Sequence, residues 1–319
     1  MRHPSGDQYT IVSGGARAQV TQVGATLRTF AVDGVDILDG FPDDERSSDG
    51  RGQVLAPWPN RLTDGRYSYG GRECQAPLNE LSRHDAIHGL VRWLDWSIVA
   101  HASDLLTLSC TVRPQPAFEW QIDLEITYTV GDSELTVMLV ARNGDSEPAP
   151  FGVGFHPYLS LGTASVDALD LTVPATAFLD PDVPADTPHM LPVAGTPKDF
   201  TSARTIASTK LDTAFGELMR GADGRAVARL HSVDNGRSVE LWVDDGYRYL
   251  MIYTADEVTR VERRRTGLAI EPMTCPPDAF RSRVDLIELA PGASWRGSWG
   301  LRMIRSQSGP LPLRNEGAS

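Results

Sequence analysis

In Ile122-Asp123-Leu124-Glu125-Ile126-Thr127-Tyr128-Thr129-Val130, every second side chain is apolar. Successive side chains of an extended chain point to opposite faces, so this alternation describes a strand with one buried and one solvated face. Leu135-Thr136-Val137-Met138-Leu139-Val140-Ala141 follows across Gly131-Asp132-Ser133-Glu134, which reads as a hairpin. Residues 237–243 and 249–254 read as a second hairpin around Asp244-Asp245-Gly246. Near the end, Trp295, Gly297, Trp299, Leu301 and Met303 alternate with Arg296, Ser298, Gly300 and Arg302. Further strands are expected within 8–13, 17–23, 26–32, 97–112, 166–173 and 226–233. No long segment keeps apolar residues at helical spacing, and 29 Gly and 22 Pro suit many turns. The pattern predicts an all-β fold, an antiparallel sandwich or barrel with few short helices. The Pro-rich stretch 174–200 reads as one long loop, and residues 305–319 as a flexible tail after a single domain over 1–304.

The chain has 319 residues, 41% of them hydrophobic, enough for one large core. Its net charge of −12, from 30 basic and 42 acidic residues, repels phosphate backbones and anionic lipid. Nucleic-acid and membrane partners are therefore not expected, whereas a neutral small molecule such as a sugar fits. Cys74, Cys110 and Cys275 are odd in number and widely spaced, which argues against a disulfide framework and offers no CxxC pair for zinc. The first 20 residues carry Asp7, Gln8, Arg17 and Gln19 with no apolar run, and no stretch approaches the roughly 18 apolar residues of a membrane span. A cytoplasmic protein is expected, as a monomer or homodimer.

Four short segments carry candidate chemistry: Ala56-Pro57-Trp58-Pro59-Asn60-Arg61, Ile87-His88-Gly89-Leu90, Gly154-Phe155-His156-Pro157-Tyr158 and Ala269-Ile270-Glu271-Pro272. Glu271 lies at the end of an apolar strand that Pro272 is expected to stop. A carboxylate there is costly to bury unless used, and desolvation raises its pKa toward that of a general base; the competing reading is a Glu turned to solvent. His156 sits among glycines that allow close backbone approach and before Pro157, which holds it extended. Histidine changes charge near neutrality and can protonate an ether oxygen; the competing reading is a structural His. Gly152-Val153-Gly154 lacks the third glycine and following helix of a dinucleotide fingerprint. His84 and His88 have the spacing of zinc-binding helices, but Asp85 replaces the expected Glu and Gly89 breaks the helix, so the segment reads as a loop and no metal is expected. Arg61, stiffened by Pro57 and Pro59, offers a fork of donors for adjacent hydroxyls, or an ordinary ion pair. Asp212 can accept from sugar hydroxyls, or be an ordinary loop Asp. Trp93 and Trp96 are stacking candidates, although tryptophan is more often core, and Arg263-Arg264-Arg265 reads as a solvated strand face that could hold a phosphate.

Taken together, in this order along residues 10–304, these motifs resemble the aldose 1-epimerase (galactose mutarotase) family. Pro57-Trp58-Pro59-Asn60-Arg61 is similar to a bacterial branch whose members often lack an assigned sugar. The resemblance implies a large antiparallel β-sandwich, the galactose mutarotase-like supersandwich, with its site in a cleft across one sheet. It also implies Glu271 as general base, His156 as general acid, His88 as a second active-site histidine, and Arg61, Asp212 and Asn60 as sugar contacts. No cofactor is implied. Galactose-specific members carry Asn-His-Ser/Thr-Tyr-Phe around the acid, whereas here Phe155 precedes His156 and Pro157 follows.

The expected reaction interconverts α and β anomers of a free aldose. Glu271 takes the anomeric hydroxyl proton while His156 protonates the ring oxygen; the C1–O5 bond opens, C1–C2 rotates, and the ring recloses with the roles exchanged. Free Glu titrates near ~4.3 and free His near ~6.5, so a bell-shaped pH–rate curve is expected. The alternatives are a hexose-6-phosphate mutarotase needing a cationic pocket, a glycosidase needing a second carboxylate, and a non-catalytic carbohydrate-binding module.

Overall fold

The computed structural model describes residues 3–304; the expected tail over 305–319 lies outside the described residues. The fold is an antiparallel β-sandwich. One large sheet orders its nine strands as Ser97–His101, Leu105–Val112, Ile122–Val130, Glu134–Asn143, Ser294–Ile304, Ser238–Val243, Ala226–Ser232, Leu169–Thr172 and Arg204–Thr205. The second orders Met190–Pro192, Ala175–Leu179, Asp212–Leu218, Tyr249–Tyr253, Leu268–Met273, Gly154–Phe155 and Val54–Leu55, with Tyr158–Leu159 paired to Leu268–Met273 beside this path. A four-stranded sheet runs from Gln8–Ser13 to Val35–Asp36. Helix is confined, among the described residues, to Ala279–Ser282 and three 3-10 turns. None of these is long and apolar enough to cross a membrane.

The strand read first behaves as its alternation requires. Ile122, Leu124, Ile126, Tyr128 and Val130 are buried, while the residues between them reach solvent at least in part. Its hairpin partner is in register, with Val130 opposite Leu135. Three strand and loop readings change. Residues 97–112 are two strands joined by a turn at 102–104. The segments 237–243 and 249–254 are not a hairpin: Ser238–Val243 pairs with Ser294–Ile304, and Tyr249–Tyr253 pairs with Leu268–Met273 in the other sheet. The chain crosses between sheets at 244–248, where Asp244 accepts N–H bonds from Gly246 and Ser298, and the Arg248 N–H reaches the Met273 carbonyl. The stretch 174–200 is not one loop, since Ala175–Leu179 and Met190–Pro192 lie within it. Pro181, Pro184 and Pro188 fall between these two strands, and Pro192 ends the edge strand Met190–Pro192, where a missing donor is tolerated.

Pro272 does not end its strand, which runs Leu268–Met273. The flanking N–H groups of Ile270 and Thr274 reach the carbonyls of Pro157 and Val153. By alternation Pro272 would aim its absent donor between them, at the irregular turn 154–157, so no ladder bond is lost. All six residues of the strand are buried. Leu268 and Ile270 join the main core; Ala269 and Met273 join two small apolar clusters on the opposite face, and Glu271 lies between those two.

Phe155 joins the two sheets directly beneath His156. Its ring centroid lies 5.2 Å from Trp299 and 6.2 Å from Tyr247. Truncation would open a cavity at the sandwich centre, so Phe155→Ala is expected to cost about 3–5 kcal/mol in a urea unfolding titration. A loss below about 1 kcal/mol would contradict this packing role.

Candidate active site

The six residues singled out from sequence, Asn60, Arg61, His88, His156, Asp212 and Glu271, all line one cleft of about 430 Å³ on the face of the second sheet away from the main core. Glu271 is 2% exposed and His156 is 5% exposed. The His156 Nε2 atom lies 3.3 Å from Glu271 Oε1, while Glu271 Oε2 and His156 Nδ1 are buried without a hydrogen-bond partner. Burial raises the Glu271 pKa well above the usual carboxylate value; Asp212 adds to the rise and Arg61 opposes it. Burial also pushes His156 down to about 3, with Arg51 adding to the fall. Both shifts favour uncharged forms. The pair therefore holds one proton over a wide pH range, as Glu–COOH with neutral imidazole or, after one proton hop, as carboxylate with imidazolium.

The His156 backbone is tied to the segment before it: its N–H donates to Gln53 and its carbonyl accepts from Gly52. Its ring stacks on Tyr158 at 4.9 Å and 13°, and the Arg51 guanidinium lies 4.4 Å above the far ring. Arg51 is itself held by Asp39 and Asp49. Gly50 adopts φ +78°, and a Cβ there would come within 2.5 Å of His156 Cδ2. This backbone must be glycine for the imidazole to sit where it does.

His88 follows a short strand, Asp85–Ile87, paired with Arg61–Thr63, where a loop was expected. His88 and Asn60 both have positive φ, 67° and 57°. They are locked by two reciprocal bonds: His88 N–H donates to the Asn60 carbonyl (2.9 Å), and Asn60 N–H donates to His88 Nδ1 (3.2 Å). Accepting at Nδ1 leaves the proton of the neutral ring on Nε2. Burial, with His156, Arg92 and Arg61 nearby, holds the His88 pKa well below its ordinary value. His88 is therefore a neutral donor, 5.4 Å from the His156 ring centroid. His84 instead bonds Asp64 and lies outside the cleft lining.

Arg61 realises both of its sequence readings. Its Nε and Nη2 fork onto Glu80 at 2.7 and 3.0 Å, while Nη1 approaches Asp212 at 3.7 Å from within the cleft. The Asn60 side chain accepts from the Arg61 N–H, so Asn60 acts mainly through the turn that aims its neighbours. Trp96 is core, and Trp93 is exposed and absent from the cleft lining. The Arg263–Arg265 run is not a strand face: Val261–Arg263 is a 3-10 turn, Arg263 pairs with Asp39, and Arg265 with Asp167 and Asp256. These arginines do not line the cleft. Sequence reasoning missed Gly50, Arg51, Glu80 and Arg92. They carry no local signal, because each is defined by what it meets across the fold.

The aldose 1-epimerase family matches residues 7–302. The chain belongs to this family. It is similar to the uncharacterized protein YihR of Escherichia coli K12, 32% identical over 295 residues and covering 92% of each chain. It is 24% identical to the galactose mutarotase of Rattus norvegicus over 266 residues, 76% of each chain. A crystal structure of a GalM/aldose epimerase homologue from C. elegans superposes with a TM-score of 0.82 at 20% identity, covering 94% of this chain and 99% of that one. The fold of this family member is thus the galactose mutarotase-like sandwich.

The geometry at His88 yields a direct spectroscopic expectation. Its ¹⁵N shifts should report the neutral Nε2–H tautomer from about pH 8 down to about pH 5, below the ~6.5 of free histidine. An imidazolium signature at pH 6, or the Nδ1–H tautomer, would refute the assignment.

Proposed function

We propose that this protein is an aldose 1-epimerase that interconverts the α and β anomers of a free aldose. The observation that carries the proposal is the buried, 3.3 Å contact of Glu271 and His156 in a cleft that also holds Arg61, His88 and Asp212. Glu271 takes the proton of the anomeric hydroxyl as His156 protonates the ring oxygen. The C1–O5 bond opens to an aldehyde, C1–C2 rotates, and O5 re-adds as His156 recovers its proton and Glu271 returns one to O1. Each half-reaction begins and ends with one proton on the pair, so the resting proton count suits both directions. His88 Nε2–H, a neutral donor, supports charge developing on oxygen without releasing its proton. Arg61 and Asp212 orient hydroxyls, with Glu80 fixing the guanidinium.

A phosphorylated sugar is the second reading, carried by Arg92. Arg92 lines the cleft, its guanidinium donates to Gln53 Oε1 and to the Ile87 carbonyl, burial pulls its pKa down to about 10, and among the described residues it forms no ion pair with a carboxylate. A glycosidase would need a second carboxylate across the scissile bond; Asp212, paired with Arg61, is the nearest acid that the Glu271 shift reports. Three unpaired cysteines suit a reducing compartment, and we place the protein in the cytoplasm.

Polarimetry on fresh α-D-glucose, α-D-galactose, other aldoses and their 6-phosphates at low buffer concentration tests the proposal. Wild type should accelerate mutarotation of at least one sugar, and Glu271→Gln should lose about 10²–10⁴-fold. No acceleration of any free or phosphorylated sugar, or an unaffected variant, would overturn it.

The pH profile follows from the two shifts. Activity requires the one-proton pair. It falls at low pH when the pair takes a second proton, and the lowered His156 pKa moves that limb below the ~6.5 of free histidine. At high pH it falls when the pair loses its proton, and the raised Glu271 pKa moves that limb above the ~4.3 of free glutamate. kcat/KM should therefore hold a plateau across neutrality, broader than the bell expected from free side chains. A narrow maximum between pH ~4.3 and ~6.5 would contradict the burial argument.

A further inference from the structure

The strand register carries the floor of the cleft beyond the catalytic pair. Glu271 lies opposite Met251, and Met251 opposite Ala214. Leu179 follows one step beyond the Phe178–Phe215 pair and itself lies opposite Met190. Directly opposed residues share a face of the sheet, so a single row crosses it, from a carboxylate into apolar side chains that pack as one cluster. Strands are spaced about 4.8 Å, which sets Ala214 roughly 10 Å and Leu179 roughly 14 Å from Glu271. Over this end of the row lies a second cavity of about 290 Å³. It shares Asn60, Arg61, Arg83 and Asp212 with the sugar cleft, so the two are adjacent compartments separated by the Arg61–Asp212 pair.

The outer wall is the connection 180–189, contributing Pro181, Val183 and Pro188. It is closed at its base by the Asp180 N–H donating to the His189 carbonyl. Asp186 anchors it to Arg281 at 3.0 Å, and Arg281 pairs with Asp278. Asp278 in turn accepts from the Thr63 N–H and donates its own N–H to the Arg61 carbonyl. The wall is thus fastened to the strand that carries Arg61.

We propose that this compartment is a subsite for a second sugar ring, and that the preferred substrates are reducing di- or oligosaccharides whose reducing-end unit occupies the catalytic cleft. The inference rests on the mutarotase reading. The anomeric hydroxyl must be free and at Glu271, so the attached unit extends from another carbon, toward Met251 and Ala214. A pyranose has apolar C–H faces and a hydroxyl edge; the compartment has an apolar floor and a rim bearing Asp180 and Lys198. The lining carries three carboxylates, Asp85, Asp180 and Asp212, against three cations, Arg61, Arg83 and Lys198, so its formal charges cancel, as suits a neutral substituent.

The test compares glucose with maltose, cellobiose and lactose, and galactose with a galactobiose, by polarimetry on the full chain. Binding to Glu271→Gln is measured by calorimetry in parallel. Val183→Trp and Ala185→Trp, both on the wall connection, narrow the compartment without touching the catalytic pair. At least one disaccharide should exceed its reducing-end monosaccharide by about tenfold in kcat/KM or affinity, about the scale of one well-made contact cluster. The tryptophan variants should remove that gain and change the monosaccharide by less than about twofold. Equal disaccharide and monosaccharide values in wild type, or equal losses on both in the variants, would overturn the subsite and leave the mutarotase reading intact. A gain seen with 6-O-octanoylglucose and with no disaccharide would overturn the second ring as occupant. Tighter disaccharide binding, sensitive to the variants but without turnover of any sugar, would support the subsite and overturn the mutarotase reading.

Discussion

A carboxyl group and an imidazole buried side by side, 3.3 Å apart, set the terms for the whole site. Neither charge is well solvated there, and isolated burial of either would be strongly unfavourable. The two are tolerable because together they need no net charge: one proton leaves both groups neutral, and one hop converts them to an ion pair. In the proposed reaction this supplies a proton donor and a proton acceptor at the same moment.

The surrounding structure can be understood as the means of keeping that pair dry and aimed. Two small apolar clusters, around Ala269 and around Met273, flank Glu271 on the cleft face. The main core covers the other side of the same strand through Leu268 and Ile270. Phe155 ties the neighbouring strand to the opposite sheet through Trp299, so the imidazole one residue later rests on a packed layer. Tyr158 stacks on His156 with Arg51 over the Tyr158 ring, and Gly50 leaves room for the imidazole edge. On the open side the polar groups are held by partners of their own: Arg61 by Glu80 and His88 by the Asn60 backbone. Their orientation is therefore set by the protein itself.

Much of this was legible in the chain, for a physical reason. Period-two alternation at 122–130 reports a half-buried strand whatever its neighbours are, and it holds in the structure. The motif residues are legible because glycine and proline beside a titratable group restrict its backbone. All six candidates converge on one cleft. What was not legible depends on contacts distant in sequence. The crossover at 244–248 resembles a hairpin turn, and the destination of each strand is set by pairing with residues about 20 to 60 positions away. Pro272 looks like a strand end because its missing bond partner would sit at 154–157, more than 100 residues earlier. Glu80 and Gly50 look ordinary until Arg61 and His156 are placed against them.

If the pair acts as one proton-sharing unit, its members cannot contribute independently. The most direct measurement is a double-mutant cycle on the mutarotation rate, with Glu271→Gln, His156→Gln and the two combined, each checked for folding. The account predicts that either single change removes nearly all the acceleration and that the double variant is little slower than either, as for residues acting as a unit. Losses that multiply in the double variant, or a single variant retaining near-wild-type rate, would contradict it.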